Sequence, residues 1–83
     1  MMNVTVKLFA GLRERAGTGT LEVDVPEGTT AGVARDVVGE TAGLGDLLTR
    51  QRVALAVNRR YADDNLPLRD GDELALIPPV SGG

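Results

Sequence analysis

The chain has 83 residues, twelve acidic and nine basic, with a net charge of -3 and neither cysteine nor histidine. Without these two residue types there are no disulfides or thiolate nucleophiles, and the usual zinc ligands and the usual general base near neutral pH are missing, so we expect no metal site and no catalytic side chain. The charge has the wrong sign for a nucleic-acid binder and no apolar run approaches the roughly 20 residues of a membrane span; we expect one small cytoplasmic domain that binds neither nucleic acid nor membrane.

Two segments near the N-terminus, residues 3–9 and 21–25, alternate between apolar and polar side chains, which predicts two half-buried strands that pair antiparallel. Phe9 falls on the outer face of the first strand, either as an isolated exposed ring or as part of a contact surface. Residues 10–19 are charged and contain three glycines. This composition predicts a loop with at most one helical turn, over residues 12–16.

A helix is predicted after the second strand. Thr29 or Thr30 is the expected N-cap, and the helix is expected to end near residue 40. Its buried stripe is predicted at Val33, Ala34, Val37 and Val38. Because Gly32 and Gly39 each cost about 1 kcal/mol relative to alanine, the stripe rather than helix propensity is expected to stabilise this helix.

The second half of the chain predicts a short helical turn near residues 44–48, a strand over residues 53–57, a turn at residues 58–60 and a last strand over residues 74–77, which should run through the middle of the sheet. Asp70-Gly71-Asp72 is interpreted as a turn rather than a metal site. The order strand, strand, helix, strand, short strand or turn, strand predicts an α+β fold: a mixed sheet with one main helix packed across one face.

The last residues form a candidate tail. Residues 1–77 are predicted to make the domain and residues 78–83 an extended tail that ends in Gly82-Gly83. On their own, two glycines fit a frayed end equally well, but Pro78 and Pro79 favour an extended backbone. Six extended residues reach roughly 20 Å, which is far enough to enter the active site of another protein.

Four groups of residues, taken together, resemble the small subunit of molybdopterin synthase. They are Phe9-Ala10 with Arg13-Glu14 and Gly17, then Ala56-Val57-Asn58, then Pro67-Leu68 with Asp70-Gly71-Asp72-Glu73, and finally Pro78-Pro79-Val80-Ser81-Gly82-Gly83. They occur in the order and at the distances of that family and span nearly the whole chain. The resemblance implies a ubiquitin-like β-grasp fold.

The resemblance also implies a sulfur carrier in molybdenum cofactor biosynthesis rather than an enzyme with catalytic side chains. An ATP-dependent adenylyltransferase related to ubiquitin-activating enzymes would join AMP to the carboxylate of Gly83. A sulfur donor, such as a cysteine desulfurase or a rhodanese-like protein, would convert it to a thiocarboxylate. The large subunit would then use two carriers, in a heterotetramer, to convert a cyclic pyranopterin monophosphate to molybdopterin. The chain itself would bind no cofactor, since ATP belongs to the activating partner.

Residues for two tasks carry over from the resemblance. Pro78, Pro79, Val80, Ser81 and Gly82 would thread the tail into the large subunit. Phe9, Arg13, Tyr61 and Ile77 would contact its surface. Many relatives carry an aromatic residue where this chain has Ile77, so the contacts there are expected to differ in detail.

Three other interpretations stay open. The chain could carry sulfur for thiamine synthesis or tRNA thiolation, although thiamine carriers usually lack the Phe-Ala and Arg-Glu pairs of residues 9–14. It could be a ubiquitin-like modifier whose Gly83 is joined to lysines of other proteins. It could also be a β-grasp interaction domain with a chemically inert tail.

Overall fold

The computed structural model describes residues 1–50 and 52–79. Within these ranges the chain forms five strands and three helices. In chain order the elements are β1 (Met2–Leu8), α1 (Ala10–Ala16), β2 (Thr20–Val25), α2 (Ala31–Thr41), α3 (Gly45–Arg50), β3 (Ala54–Val57), β4 (Arg60–Ala62) and β5 (Glu73–Ile77).

The five strands make one mixed sheet in the order β2-β1-β5-β3-β4. β1 and β5 are parallel, whereas the pairs β1–β2, β3–β5 and β3–β4 are antiparallel. The last strand therefore occupies the centre of the sheet, as its apolar sequence predicted. The mixed sheet with helices packed on one face confirms the predicted α+β class and the ubiquitin-like β-grasp fold.

The core lies between the sheet and the helices and is aliphatic. Val4, Val6 and Leu8 of β1 are essentially inaccessible to solvent, as are Leu74 and Leu76 of β5. Every second residue of β1 and β5 points into this layer. The alternation in the sequence therefore predicted the buried face of β1 correctly, whereas the apolar sequence of β5 predicted only its central position.

The prediction for residues 10–19 is partly wrong: the helical turn allowed over residues 12–16 is part of a longer helix, the two-turn α1 over residues 10–16, and only residues 17–19 form a loop. Leu12 is fully buried and anchors this helix in the core. Gly17 ends the helix in a left-handed conformation (φ 77°), and its N–H donates to the carbonyl of Arg13 at 2.9 Å. The glycines and charged residues of this segment therefore gave no indication of a two-turn helix, which a single apolar side chain attaches to the core.

The predicted stripe of α2 is partly wrong. Thr30 is the N-cap, as one of the two predicted candidates, but Val33 is 52% exposed and Val37 is only partly buried. The buried positions of the helix are Ala31, Gly32, Ala34, Val38 and Gly39. The two glycines allow neighbouring segments to approach the helix closely. Helix propensity alone does not predict this role.

Gly32 lies where the loop after β4 crosses the start of α2. Its N–H donates to the carbonyl of Asp64 at 3.0 Å, and an added Cβ would lie 2.8 Å from the Asp64 Cβ. The Arg35 guanidinium contacts the Asp64 carboxylate at 3.0 Å and the Asp36 carboxylate at 3.2 Å. Burial opposes the charge of Arg35, but the two carboxylates outweigh it and raise the pKa of the guanidinium above its ordinary value. Asp64 is therefore fixed at Gly32 by both its backbone and its side chain.

We expect Gly32→Ala to be less stable than Gly39→Ala by about 1 kcal/mol or more, since overpacking against a fixed segment costs about 1–3 kcal/mol. An added Cβ at Gly39 would lie 3.0 Å from the tip of the Leu48 side chain, which can rotate away, and at an ordinary contact distance of 3.6 Å from the Gly45 backbone. Both changes gain the same helix propensity. Urea denaturation of the two variants measures the difference, and equal free energies of unfolding would contradict the close contact at Asp64.

Candidate functional site

The face of the sheet opposite the helices is open. Register places five residues, one from each strand, in a row across this face. From one edge to the other they are Thr20, Lys7, Ala75, Ala56 and Tyr61. Because two of the three central positions are alanines, the middle of this face is low and apolar.

A shallow depression of about 490 Å³ lies over these alanines. Its lining residues are Lys7, Phe9, Ala56, Arg59, Tyr61, Glu73, Ala75 and Ile77. Phe9 and Tyr61 are the only aromatic residues of the chain, and they are 46% and 81% exposed. Exposed aromatic and arginine side chains beside an apolar floor are typical of the centre of a protein–protein interface.

Three of the four residues predicted to contact a partner line this depression, namely Phe9, Tyr61 and Ile77. Arg13 does not, since it lines a separate depression formed by α1 and the loop that follows. Its side chain lies over Gly19, where an added Cβ would be 3.2 Å from the Arg13 Nε. The structure thus brings three of these residues together and leaves Arg13 apart, while their contact with a partner stays a prediction.

The start of α1 positions Phe9. This residue follows β1 and is the N-cap of the helix in an extended conformation (φ -132°, ψ 156°). Its carbonyl accepts hydrogen bonds from the N–H groups of Leu12 at 3.1 Å and Arg13 at 3.4 Å. The buried Leu12 therefore fixes the backbone that carries the exposed ring.

The tight turn between β3 and β4 positions Tyr61. Its two central residues, Asn58 and Arg59, both have positive φ (51° and 70°), as the twist of a two-residue hairpin favours. The Asn58 side chain donates to Asp72 Oδ1 at 2.9 Å and accepts from the N–H of Glu73 at 3.0 Å. The sequence predicted a turn at Asn58 but not this contact with the start of β5, because the partners lie 14 and 15 residues further along the chain.

The residues that line the depression include one carboxylate, that of Glu73, and neither histidine nor cysteine. Across residues 1–50 and 52–79 no buried polar or charged side chain occurs, and no three carboxylates, histidines or cysteines are grouped as metal ligands. Asp70 and Asp72 instead accept backbone N–H groups, from Asn3 at 2.7 Å and Arg69 at 2.7 Å. In the same part of the chain no helix is long and apolar enough to cross a membrane.

The tail starts beside the depression. β5 ends at Ile77, which lines the depression, and Pro78 and Pro79 follow outside the strand. The other predicted tail residues, Val80, Ser81 and Gly82, lie outside the described residues, as does Gly83 with its predicted reactive carboxylate.

Comparisons with known proteins agree with this fold over the full chain. The profile of the ThiS family matches residues 6–83. The molybdopterin synthase sulfur carrier subunit of Drosophila erecta is 42% identical over 86 residues, which cover 100% of this chain and 93% of the relative. The small archaeal modifier protein 1 of H. volcanii superposes with a TM-score of 0.85 at 32% identity, over 96% of this chain and 100% of that one.

One chain of a solved protein complex is also similar to this chain. The complex contains subunits 1 and 2 of the molybdopterin-converting factor of Helicobacter pylori. The matching chain has 30% identity and a TM-score of 0.70, over 99% of this chain and 100% of that one. This chain therefore belongs to the ThiS family and is similar over its whole length to a molybdopterin synthase sulfur carrier subunit.

Proposed function

We propose that this chain carries sulfur for molybdopterin synthase in molybdenum cofactor biosynthesis. The observation that carries the proposal is the 42% identity, across the whole chain, with a relative named for this role. The composition supports it, since a chain without cysteine or histidine lacks the usual general base near neutral pH and both the Ser-His and the Cys-His nucleophile pairs. Such a chain suits a carrier, which supplies an attachment point while its partners supply the catalysis.

The proposed attachment point is the carboxylate of Gly83. A carboxylate is a poor electrophile, so it must first be activated. A carboxylate oxygen attacks the α-phosphorus of ATP on an adenylyltransferase, and pyrophosphate leaves. Gly83 then carries a mixed anhydride with AMP, and the absence of a side chain leaves its carbonyl carbon open to attack.

The sulfur enters at that carbon. A persulfide on the sulfur donor attacks it, AMP leaves, and an acyl disulfide forms between donor and carrier. A second thiol of the donor then attacks the sulfur atom of this acyl disulfide that belongs to the donor. A disulfide forms within the donor, and the carrier leaves as a thiocarboxylate. Two such carriers supply the two sulfur atoms that a cyclic pyranopterin monophosphate needs.

The depression on the open face is the proposed docking site for the large subunit. It carries both aromatic rings of the chain and adjoins Ile77, from which the tail departs. A partner held there would lie within reach of Gly83, because six extended residues span roughly 20 Å. The similar H. pylori chain is part of a complex of two subunits, and we propose a heterotetramer with two carriers here.

Intact-protein mass spectrometry tests the proposed chemistry. The chain is incubated with ATP, the adenylyltransferase and the sulfur donor. We expect a mass increase equal to the replacement of one oxygen atom by sulfur, absent when ATP is omitted. An unchanged mass, while a known carrier is loaded in a parallel reaction, would contradict the proposal.

We expect Phe9→Ala to weaken binding to the large subunit by about 1 kcal/mol or more, the loss typical of an exposed ring that becomes a buried anchor. Val33→Ala is the matched control, because Val33 is similarly exposed (52%) but lies on α2, across the sheet from the depression. Titration calorimetry measures both affinities. Equal affinities of the two variants would mean that Phe9 is an isolated exposed ring and not a contact with the large subunit.

A second candidate function is protein modification, which the similarity to the H. volcanii modifier protein supports. In this case the activated Gly83 would be joined to lysines of other proteins. Conjugates linked through Gly83, found by mass spectrometry of cell extracts, would favour it. Sulfur loading without binding to the large subunit would instead favour a carrier for thiamine synthesis or tRNA thiolation.

A further inference from the structure

β4, the outer strand of the β3–β4 hairpin, has little burial to hold it in place. β4 is an edge strand of three residues that pairs only with β3. Tyr61, its central residue, is 81% exposed. β3 itself is buried and pairs with β5, so the position of Tyr61 depends on its pairing with β3 and on what attaches the turn between β3 and β4 to β5.

Asn58 makes this attachment through three hydrogen bonds. Its backbone N–H donates to the carbonyl of Glu73 at 2.8 Å, its Nδ2 donates to Asp72 Oδ1 at 2.9 Å, and its Oδ1 accepts from the N–H of Glu73 at 3.0 Å. Asp72 is fixed in turn, because its Oδ2 accepts from the N–H of Arg69 at 2.7 Å. We call Asn58, Asp72 and Glu73 the hairpin clamp.

The clamp requires the properties of asparagine at position 58. The side chain donates to a carboxylate and accepts from an N–H, so one amide satisfies both partners in a single orientation. An aspartate there could not donate and would face the carboxylate of Asp72. Asparagine also tolerates the left-handed backbone at this position (φ 51°) better than most residues.

The clamp joins two sides of the depression. Arg59 and Tyr61 follow Asn58, whereas Glu73 starts the strand that continues through Ala75 to Ile77, and all five line the depression. We propose that Asn58 is a positioning residue for partner docking, which holds Arg59 and Tyr61 in register with the strand that leads into the tail. Fixing these side chains before the partner arrives reduces the entropy lost on binding. The inference rests on the proposed docking function of this face.

Asn58→Gly isolates the contribution of the side chain. Glycine adopts positive φ at no steric cost and keeps the backbone bond to Glu73, so we expect the variant to remain folded. We expect amide hydrogen exchange in residues 59–62 to become faster by roughly tenfold or more, since two hydrogen bonds are lost. Asn65→Gly is the control, because at Asn65 the backbone N–H rather than the side chain bonds Asp63. Unchanged exchange in Asn58→Gly would overturn the clamp.

Docking is measured with the large subunit of molybdopterin synthase. We expect Asn58→Gly to bind roughly tenfold more weakly than wild type, and the loss to shrink when Tyr61 is already alanine, as for residues that act through one another. A purely structural role would give the same loss in both backgrounds, and this result or an unchanged affinity would overturn the positioning role. If the wild-type chain fails to bind, the proposed docking function fails, and exchange in the free protein still decides whether the clamp exists.

Discussion

Deletion of Gly83 is expected to abolish sulfur loading without changing the fold. The shortened chain still ends in a glycine carboxylate, that of Gly82, but the carboxylate stops about 3.3–3.6 Å short of its former reach. Adenylation requires the carboxylate oxygen to approach the α-phosphorus of ATP closely, and misplacement by about 1 Å can cost a hundredfold in rate. We therefore expect the rate of thiocarboxylate formation to fall by roughly a hundredfold or more.

Mass spectrometry of the intact chain measures this rate. Ser81→Ala is the matched control, since it alters a tail side chain but keeps the length, and it should load at a rate close to that of wild type. Leu76 is the last buried residue in the part of the chain that the structure describes, so we expect circular dichroism and the urea midpoint to be the same for all three chains. A shortened chain that loads as fast as wild type would exclude Gly83 as the acceptor.

The strands could be predicted because their signal is local. In β1 apolar and polar residues alternate with a period of two, so no other segment is needed to identify the buried face, whereas β5 is apolar from Leu74 onwards and its sequence predicted only a central position. The buried face of α2 was harder to predict, because Gly32 and Gly39 carry no apolar side chain and yet are buried. Their burial depends on Asp64 and Leu48, which approach from other parts of the chain.

The candidate site shows the same limit. Phe9 and Tyr61 could be singled out by their scarcity and by the family resemblance, but their shared depression results from β1 and β3 both pairing with β5. Arg13 faces a different depression because α1 turns it towards Gly19. The contact of Asn58 with Asp72 joins two turns that the sequence shows only as separate motifs.

Leu12→Ala is expected to cost about 2–5 kcal/mol in the free energy of unfolding, as for other fully buried leucines. Leu12 is 0% exposed and is the only buried residue of α1, a seven-residue helix too short to be stable alone. A domain of this size is stable by about 4–12 kcal/mol in total. The change would therefore remove a large part of the stability, although the sequence predicted at most one helical turn at Leu12 and did not predict its burial.

Gly11→Ala is the matched control on the same helix. No heavy atom lies within 4 Å of an added Cβ at Gly11, so the change should leave the stability unchanged or raise it by up to about 1 kcal/mol. Urea denaturation of both variants separates anchoring from helix propensity. A loss below about 1 kcal/mol in Leu12→Ala would mean that α1 is not anchored through this side chain. Because the carbonyl of Phe9 accepts the first hydrogen bonds of α1, that result would also remove the structural reason for the fixed position of Phe9 on the open face.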